Sequence, residues 1–183
     1  MNAAAEARMP AGLDLAQVYR ENHGKVLKLC AYLLSSGPEA EDAAHEVFLR
    51  VHRNLGTYDP AYSITNWILK IASNYCVDLL RKRTRERQLF VPDAADTPDS
   101  SLTRPGPLGE LLSTEHGESI RRALRSLDER FRVPLILYFY NDFSYDDIAS
   151  VMNVSRNTVA TLIFRGKQKL RNKLNKEKHH ELP

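Results

Sequence analysis

The sequence predicts an all-α protein built as two small helical domains joined by a flexible linker, and three observations predict it. Apolar residues recur at helical spacing along most of the chain, and no run alternates strictly enough to read as a strand. Between Arg87 and about Leu112 the pattern stops, broken by Pro92, Pro98, Pro105, Gly106, Pro107 and Gly109. That stretch holds too few apolar residues to offset its ordering entropy. The helices on either side group into residues 13–87 and 113–175, which leaves 88–112 as linker and 1–12 and 176–183 as tails. There is no internal repeat.

Helical spacing places the elements near Asp14–Ser35, Pro38–Leu55, Ile64–Thr84, Ser113–Ser126, Asp128–Tyr140, Ser144–Met152 and Ser155–Asn175. The second has Ala40, Ala43, Ala44, Val47, Val51 and Leu55 on one face, with Glu41, Asp42, His45, Glu46 and Leu49 on the other. A leucine among charges either docks on a partner or is an incidental surface residue. Asp42, His45 and Glu46 also have the spacing of a carboxylate–histidine metal ligand set. A di-iron bundle needs that pattern on two helices with two further carboxylates; no second copy occurs, so no metal and no other cofactor is expected. Before the third helix comes the loop Tyr58–Asn66. It combines aromatics and small polar residues with a basic tail further on, a mix that suits a single nucleic-acid strand. Trp67, Ile68, Ile71 and Ala72 are equally readable as core, and for Trp67 core packing is the preferred role.

The last two helices carry the most information. Ser144-Tyr145-Asp146-Asp147 is a capping box, in which the serine hydroxyl accepts from the N–H three residues on and Asp147 reaches back to the cap N–H. Ile148, Ala149 and Met152 share one apolar face, and Asn153 stands where a tight turn needs positive φ. Ser155 caps the final helix, which has Val159, Leu162, Ile163 and Leu170 as its buried stripe. Opposite lie Arg156, Asn157, Thr158, Thr161, Arg165 and Lys167. This is a helix-turn-helix pattern whose second helix suits a DNA major groove; an ordinary hairpin with a solvated basic face is the alternative.

Bulk properties agree. The 183 residues are 43% hydrophobic and 27% charged, a soluble globular balance. A net charge of +3 implies no polyanion partner by itself, but its distribution does. Lys70, Arg81, Lys82, Arg83, Arg85 and Arg87 form one basic segment, and the run from Arg156 to Lys178 forms another, opposed only by Glu177. These read as two separate nucleic-acid footprints. Cys30 and Cys76 form no C-x-x-C pair, which favours a reducing cytoplasm over a disulfide framework or zinc site. Val133 to Tyr140, the longest apolar run, is too short to span a bilayer, and Glu6 and Arg8 interrupt the alanine-rich start before any signal-peptide core.

The linker adds a constraint. About 25 residues reach roughly 80–90 Å when extended, enough to cover the ~70 Å of two turns of B-DNA. Its typical end-to-end distance is only ~25–30 Å, so a larger body must hold the two domains in register.

Glu41–Phe48, then Asn66-Trp67-Ile68 with Ile71-Ala72, Asn74, Asp78 and Arg81, then Phe143-Ser144-Tyr145-Asp146-Asp147-Ile148-Ala149 follow one another in a single order. In this the chain resembles a bacterial RNA polymerase sigma factor of the sigma-70 family, extracytoplasmic-function type, with only the second and fourth conserved domains. The resemblance covers residues 13–87 and 113–175. It implies a sigma region 2 bundle that docks on the clamp helices of the largest polymerase subunit through Asp42, His45, Glu46 and Leu49. Tyr62, Ser63, Ile64, Thr65, Asn66 and Asn74 would engage the −10 element and open it, with a flipped base held in a loop pocket, while Lys70, Arg81, Lys82 and Arg83 steer the backbone. A region 4 helix-turn-helix on the polymerase flap would read the −35 element. There Arg156, Asn157 and Thr158 lie near phosphates, Thr161, Phe164 and Arg165 lie deeper, and Lys167 stands on the same helix. The linker would thread the polymerase channel, its Asp93, Asp96 and Asp99 among basic groups. His45 stands where glutamine is commoner, and Ala160 and Leu162 where Lys or Arg is frequent, so the −35 sequence does not transfer from relatives.

The resemblance therefore implies a dissociable initiation factor and not an enzyme, with core RNA polymerase and promoter DNA as partners and an anti-sigma factor as its regulator. It would be cytoplasmic, on the nucleoid when active, without membrane insertion of its own. A helix-turn-helix regulator acting unaided would need a sensor or dimerisation domain, and the N-terminal half offers a docking helix and a strand-opening strip instead. A helical metalloenzyme lacks ligands.

Overall fold

The computed structural model describes residues 14–85 and 117–180. The expectations for residues 1–12, for the linker 88–112 with its aspartates, and for a helix start at Ser113 lie outside the described residues. Among these, all regular structure is helical, and the residues fall into two compact units that part between Asp78 and Leu79.

The first unit opens with α1, Leu15–Leu34, capped by Asp14, whose Oδ1 accepts the Ala16 N–H at 2.9 Å. The helix ends at Ser35, left-handed at φ 61°, with its N–H donated to the Ala31 carbonyl. Helix α2, Gly37–Asn54, has Pro38 in its first turn, where a missing N–H costs nothing. Its predicted apolar face is buried in full, and the alanines at 40, 43 and 44 let α1 and α2 pack closely. A 3₁₀ turn, Leu55–Thr57, which the sequence reading did not separate from α2, leads to the loop before α3, Ile64–Arg85. Val26, Leu29 and Leu33 of α1 meet Val47 and Val51 of α2 and Ile68 and Ala72 of α3 in the core, all at most 1% exposed. Each fully buried aliphatic side chain stabilises by about 1.5–3 kcal/mol. Cys30 and Cys76 sit in this core with their Sγ atoms 3.6 Å apart, unlinked.

In the second unit α4, Gly117–Arg125, and α5, Glu129–Phe139, precede the helix pair α6, Tyr145–Met152, and α7, Arg156–His180. Helix α7 packs on the other three. Gly166 makes the closest approach: a Cβ there would stand 3.0 Å from Leu135 Cδ1 and 3.3 Å from the Phe131 carbonyl oxygen. Buried Arg132 donates to the Leu127 carbonyl at 3.2 Å and closes the α4–α5 turn. The tail expected after Asn175 departs from the structure, since α7 continues to His180. No glycine or proline stands in the sequence between Asn175 and Pro183 to interrupt it.

Candidate functional site

Three surfaces collect the candidate residues. The first is the outer face of α2, where Asp42, His45 and Leu49 are exposed along one stripe, Leu49 at 40%. Glu46 differs from them. Its Oε1 accepts from Arg50 Nε at 3.0 Å and lies 4.0 Å from Arg53, and the Arg50 guanidinium stacks over Tyr75 at 4.4 Å. Burial, reinforced by the Glu46 charge, raises the Tyr75 phenol above its ordinary value. Beside this stripe Tyr19, His23 and Phe48 form an aromatic cluster across α1 and α2, with Tyr19 4.7 Å from Phe48 and 4.9 Å from His23. Sequence reasoning missed it, although Tyr19 and His23 are one turn apart.

The second surface is the loop 58–63 and the exposed side of α3. Asp59 and Tyr62 close a tight turn, with the Tyr62 N–H donating to the Asp59 carbonyl at 3.1 Å and the Ala61 N–H to Asp59 Oδ1 at 3.0 Å. Ser63 caps α3, its Oγ facing the Asn66 N–H at 3.4 Å. The Tyr62 ring is 72% exposed. Ile64 is half-buried, and Thr65 is committed inward: its hydroxyl donates at 2.7 Å to Oδ1 of Asn22, a buried amide on α1 that in turn donates to the Val18 carbonyl. Asn66, Lys70, Asn74 and Lys82 recur at multiples of four on the exposed side, while Arg81 and Arg83 are half-buried on its flank. Trp67 is half-buried against Tyr58 with ring centroids 5.4 Å apart, so it packs at the margin of the unit and not in the core expected for it.

The third is the helix pair α6–α7, built by its caps. Ser144 Oγ accepts the Asp147 N–H at 3.1 Å, and Asp147 Oδ2 accepts the Ser144 N–H at 3.3 Å. Asn153 is left-handed at φ 48° and ψ 50°; its N–H reaches the Ser150 carbonyl at 3.3 Å and the Val154 N–H the Ala149 carbonyl at 3.1 Å. That pair of bonds is a Schellman closure. Ser155 Oγ accepts the Thr158 N–H at 3.1 Å and starts α7. Val159 and Ile163 are buried, whereas Leu162 and Leu170 are half-buried. The exposed centre of α7 is Asn157, Phe164 and Gln168, with half-buried Thr161 beside them. Gln168 was absent from the sequence expectation, and its place one turn past Phe164 was the available signal. Arg156, Arg165 and Lys167 flank that stripe. Arg156 lies 3.6 Å from Asp146 and over the Tyr145 ring at 5.7 Å; Lys167 lies over Phe139 at 5.9 Å. The Tyr145 hydroxyl is buried without a hydrogen-bond partner, and burial raises its phenol. No cluster that could hold a metal ion occurs among the described residues.

The Sigma-70 region 2 family model matches residues 18–86, and the Sigma-70, region 4 model matches residues 117–170. The chain belongs to the sigma-70 family. Region 2 thus contains the α2 stripe and the Tyr62 loop, and region 4 contains the helix-turn-helix. Curated relatives agree on the branch. The ECF RNA polymerase sigma factor SigW of Bacillus subtilis is 29% identical over 166 residues, 88% of this chain and 87% of the relative. The ECF RNA polymerase sigma factor SigE of Mycolicibacterium smegmatis is 30% identical over 171 residues, 93% of this chain and 64% of that longer protein. Among solved structures, the sigma factor RpoE of Bartonella quintana, in complex with the anti-sigma factor NepR, aligns with a TM-score of 0.61 at 21% identity, covering 88% of this chain and 97% of that one. CnrH, in complex with the cytosolic domain of CnrY, gives 0.53 at 22%, covering 88% and 87%. At these identities the likeness is one of fold. The family is one of transcription initiation factors and is not a known enzyme family. No described helix is long and apolar enough to cross a membrane.

Proposed function

We propose that this chain is an alternative sigma factor which binds core RNA polymerase and directs promoter-specific initiation through two elements, with region 2 spanning residues 13–87, a linker 88–112 and region 4 spanning 113–175. One observation carries the reading. Each of the two matched regions turns outward a surface suited to nucleic acid, an exposed aromatic loop in one and a capped helix-turn-helix in the other. The α2 stripe of Asp42, His45 and Leu49, joined at its edge by Glu46, docks on the clamp helices of the largest subunit. Tyr62, Ser63, Asn66, Lys70, Asn74 and Lys82 follow the opened −10 strand, with Arg81 and Arg83 on its backbone. Ile64 and Thr65 contribute there by shaping the loop's base. Asn157, Thr161, Phe164 and Gln168 face the −35 major groove, while Arg156, Thr158, Arg165 and Lys167 approach its phosphates, with region 4 carried on the polymerase flap. The chain supplies recognition and leaves the chemistry to the polymerase.

We also infer that an anti-sigma factor holds this protein inactive by covering the polymerase-binding faces, and that it works in the cytoplasm, on the nucleoid when active. The support is the fold shared with the sigma factor RpoE of Bartonella quintana, solved in complex with the anti-sigma factor NepR. The test is run-off transcription from a genomic library with core enzyme and this chain. Transcripts sharing two spaced upstream motifs are expected. If core enzyme neither captures the chain nor initiates with it, the reading is wrong.

A further inference from the structure

We propose that Tyr58 is a positioning residue whose hydroxyl fixes the 59–63 loop in the form that presents the Tyr62 ring to an unpaired base. The inference rests on the strand-binding role proposed for region 2 and names what prepares that role. The Tyr58 hydroxyl donates to the Tyr62 carbonyl at 2.7 Å, while its ring packs against Trp67 with centroids 5.4 Å apart. The brace is therefore anchored at one end in the first turn of α3 and at the other on the backbone of the residue it positions. Inside it, the Asp59–Tyr62 backbone bond and the Asp59–Ala61 side-chain bond close the turn.

Two features show what this arrangement is for. Asp59, Pro60, Ala61, Tyr62 and Ser63 are all exposed, so no burial holds the loop in shape. Tyr62 at 72% exposure is the most exposed large hydrophobic side chain among the described residues, and it stands outside the Tyr58–Trp67 ring pair beside it. A ring held out in this way beside Asn66, Lys70 and Asn74 stacks a base at little ordering cost only if its backbone is already set. The Tyr58 hydrogen bond sets it.

The test is a double-mutant cycle in the assembled holoenzyme. Its probe is a fluorescein-labelled single strand carrying the −10 segment of a promoter that the wild-type holoenzyme transcribes. Tyr58→Phe keeps the ring on Trp67 and removes only the hydroxyl. It is expected to weaken strand binding about three- to tenfold, the range one neutral hydrogen bond covers, with core-polymerase capture and the Trp67-detected unfolding midpoint unchanged. Tyr62→Ala keeps the carbonyl that accepts from Tyr58 but removes the ring. If Tyr58 acts by placing that ring, the double variant binds no worse than Tyr62→Ala alone. Wild-type affinity in Tyr58→Phe, or a full additional loss in the double variant, overturns the brace while leaving the strand-binding reading in place. A wild-type holoenzyme that transcribes the promoter without binding the strand overturns both.

Discussion

Gly166→Ala isolates the packing on which region 4 depends. The new methyl would stand 3.0 Å from Leu135 Cδ1, 3.2 Å from its Cγ and 3.3 Å from the Phe131 carbonyl oxygen. Leu135 is 1% exposed and Phe131 3%, so neither the leucine nor the helix carbonyl has free space to move into. Crowding of this kind costs about 1–3 kcal/mol, while replacing a helical glycine by alanine returns about 1 kcal/mol. The net expectation is a loss of about 1 kcal/mol, or roughly 1 M off the urea midpoint of a small unit. Gly24→Ala is the matched control. It sits mid-way in α1 with nothing within 4 Å of the new Cβ, so only the propensity gain remains and its unit becomes more stable by about 1 kcal/mol. The chain's single tryptophan, Trp67, reports the first unit by fluorescence, and amide hydrogen exchange in α5 and α7 reports the second. Opposite signs are expected. A Gly166→Ala protein stabilised as much as Gly24→Ala would refute the claim that this approach is tight.

Removing the cap with Ser144→Ala takes away the acceptor for the Asp147 N–H and should cost about 1 kcal/mol, visible as faster exchange of α6 amides; unaltered exchange would contradict it. Cys30 and Cys76 are both 0% exposed, and contact with Cys30 together with burial pushes the Cys76 thiol up. Disulfide reagents at pH 8 should therefore label neither until the unit opens, and prompt labelling would count against that packing. Leu49→Asp should lower capture by core polymerase about ten- to a hundredfold, the worth of one buried leucine, without moving the Trp67 unfolding curve; equal capture would remove Leu49 from the docking face. Asp146→Asn releases Arg156 from an exposed ion pair worth little and should strengthen promoter binding slightly. Arg156→Ala should lower the salt slope by about 1, which a parallel salt titration would show or exclude.

Much of this architecture was legible because the deciding signals are local. The Ser144 box, the Asn153 turn and the Ser155 cap are written within twelve residues, and the structure builds all three. The buried face of α2 was equally plain, since a 3.6-residue period needs no partner to be read. What escaped was non-local. Asn22 looks like any polar helix residue until α3 brings the Thr65 hydroxyl to it across the unit. Nothing in the spacing of Cys30 and Cys76 says that they touch. The buried side of α7 was read in the right direction, with Val159 and Ile163 at its centre and Leu162 and Leu170 half-buried at its edges, but Gly166, which lies in the closest contact, was left out. A glycine gives no hydrophobic signal, so the seam it permits is invisible to periodicity. Gln168 lies on the side of α7 opposite that stripe, one turn past Phe164, and was passed over in the sequence because it carries no charge.

Adding Gln168 changes what the proposed −35 surface can read. Thr158 shares a 2.8 Å hydrogen bond with Ser155, and the Thr161 hydroxyl donates to the Asn157 carbonyl at 3.1 Å, so both hydroxyls are engaged in holding α7. The groove then meets chiefly the amides of Asn157 and Gln168 and the ring of Phe164, with cations at the margins. Amides pair best with adenine, and a ring makes apolar contact with a thymine methyl, so an A·T-leaning −35 motif follows for this chain. In region 2 the same economy applies, because Thr65 is turned inward and Tyr62 is the main exposed ring. Each surface taken singly offers few specific contacts and so binds weakly. Joining them on one template makes the second contact intramolecular and multiplies affinity without adding a contact, provided the spacing is held. Holding that spacing is the task that the proposed recognition assigns to the polymerase as scaffold.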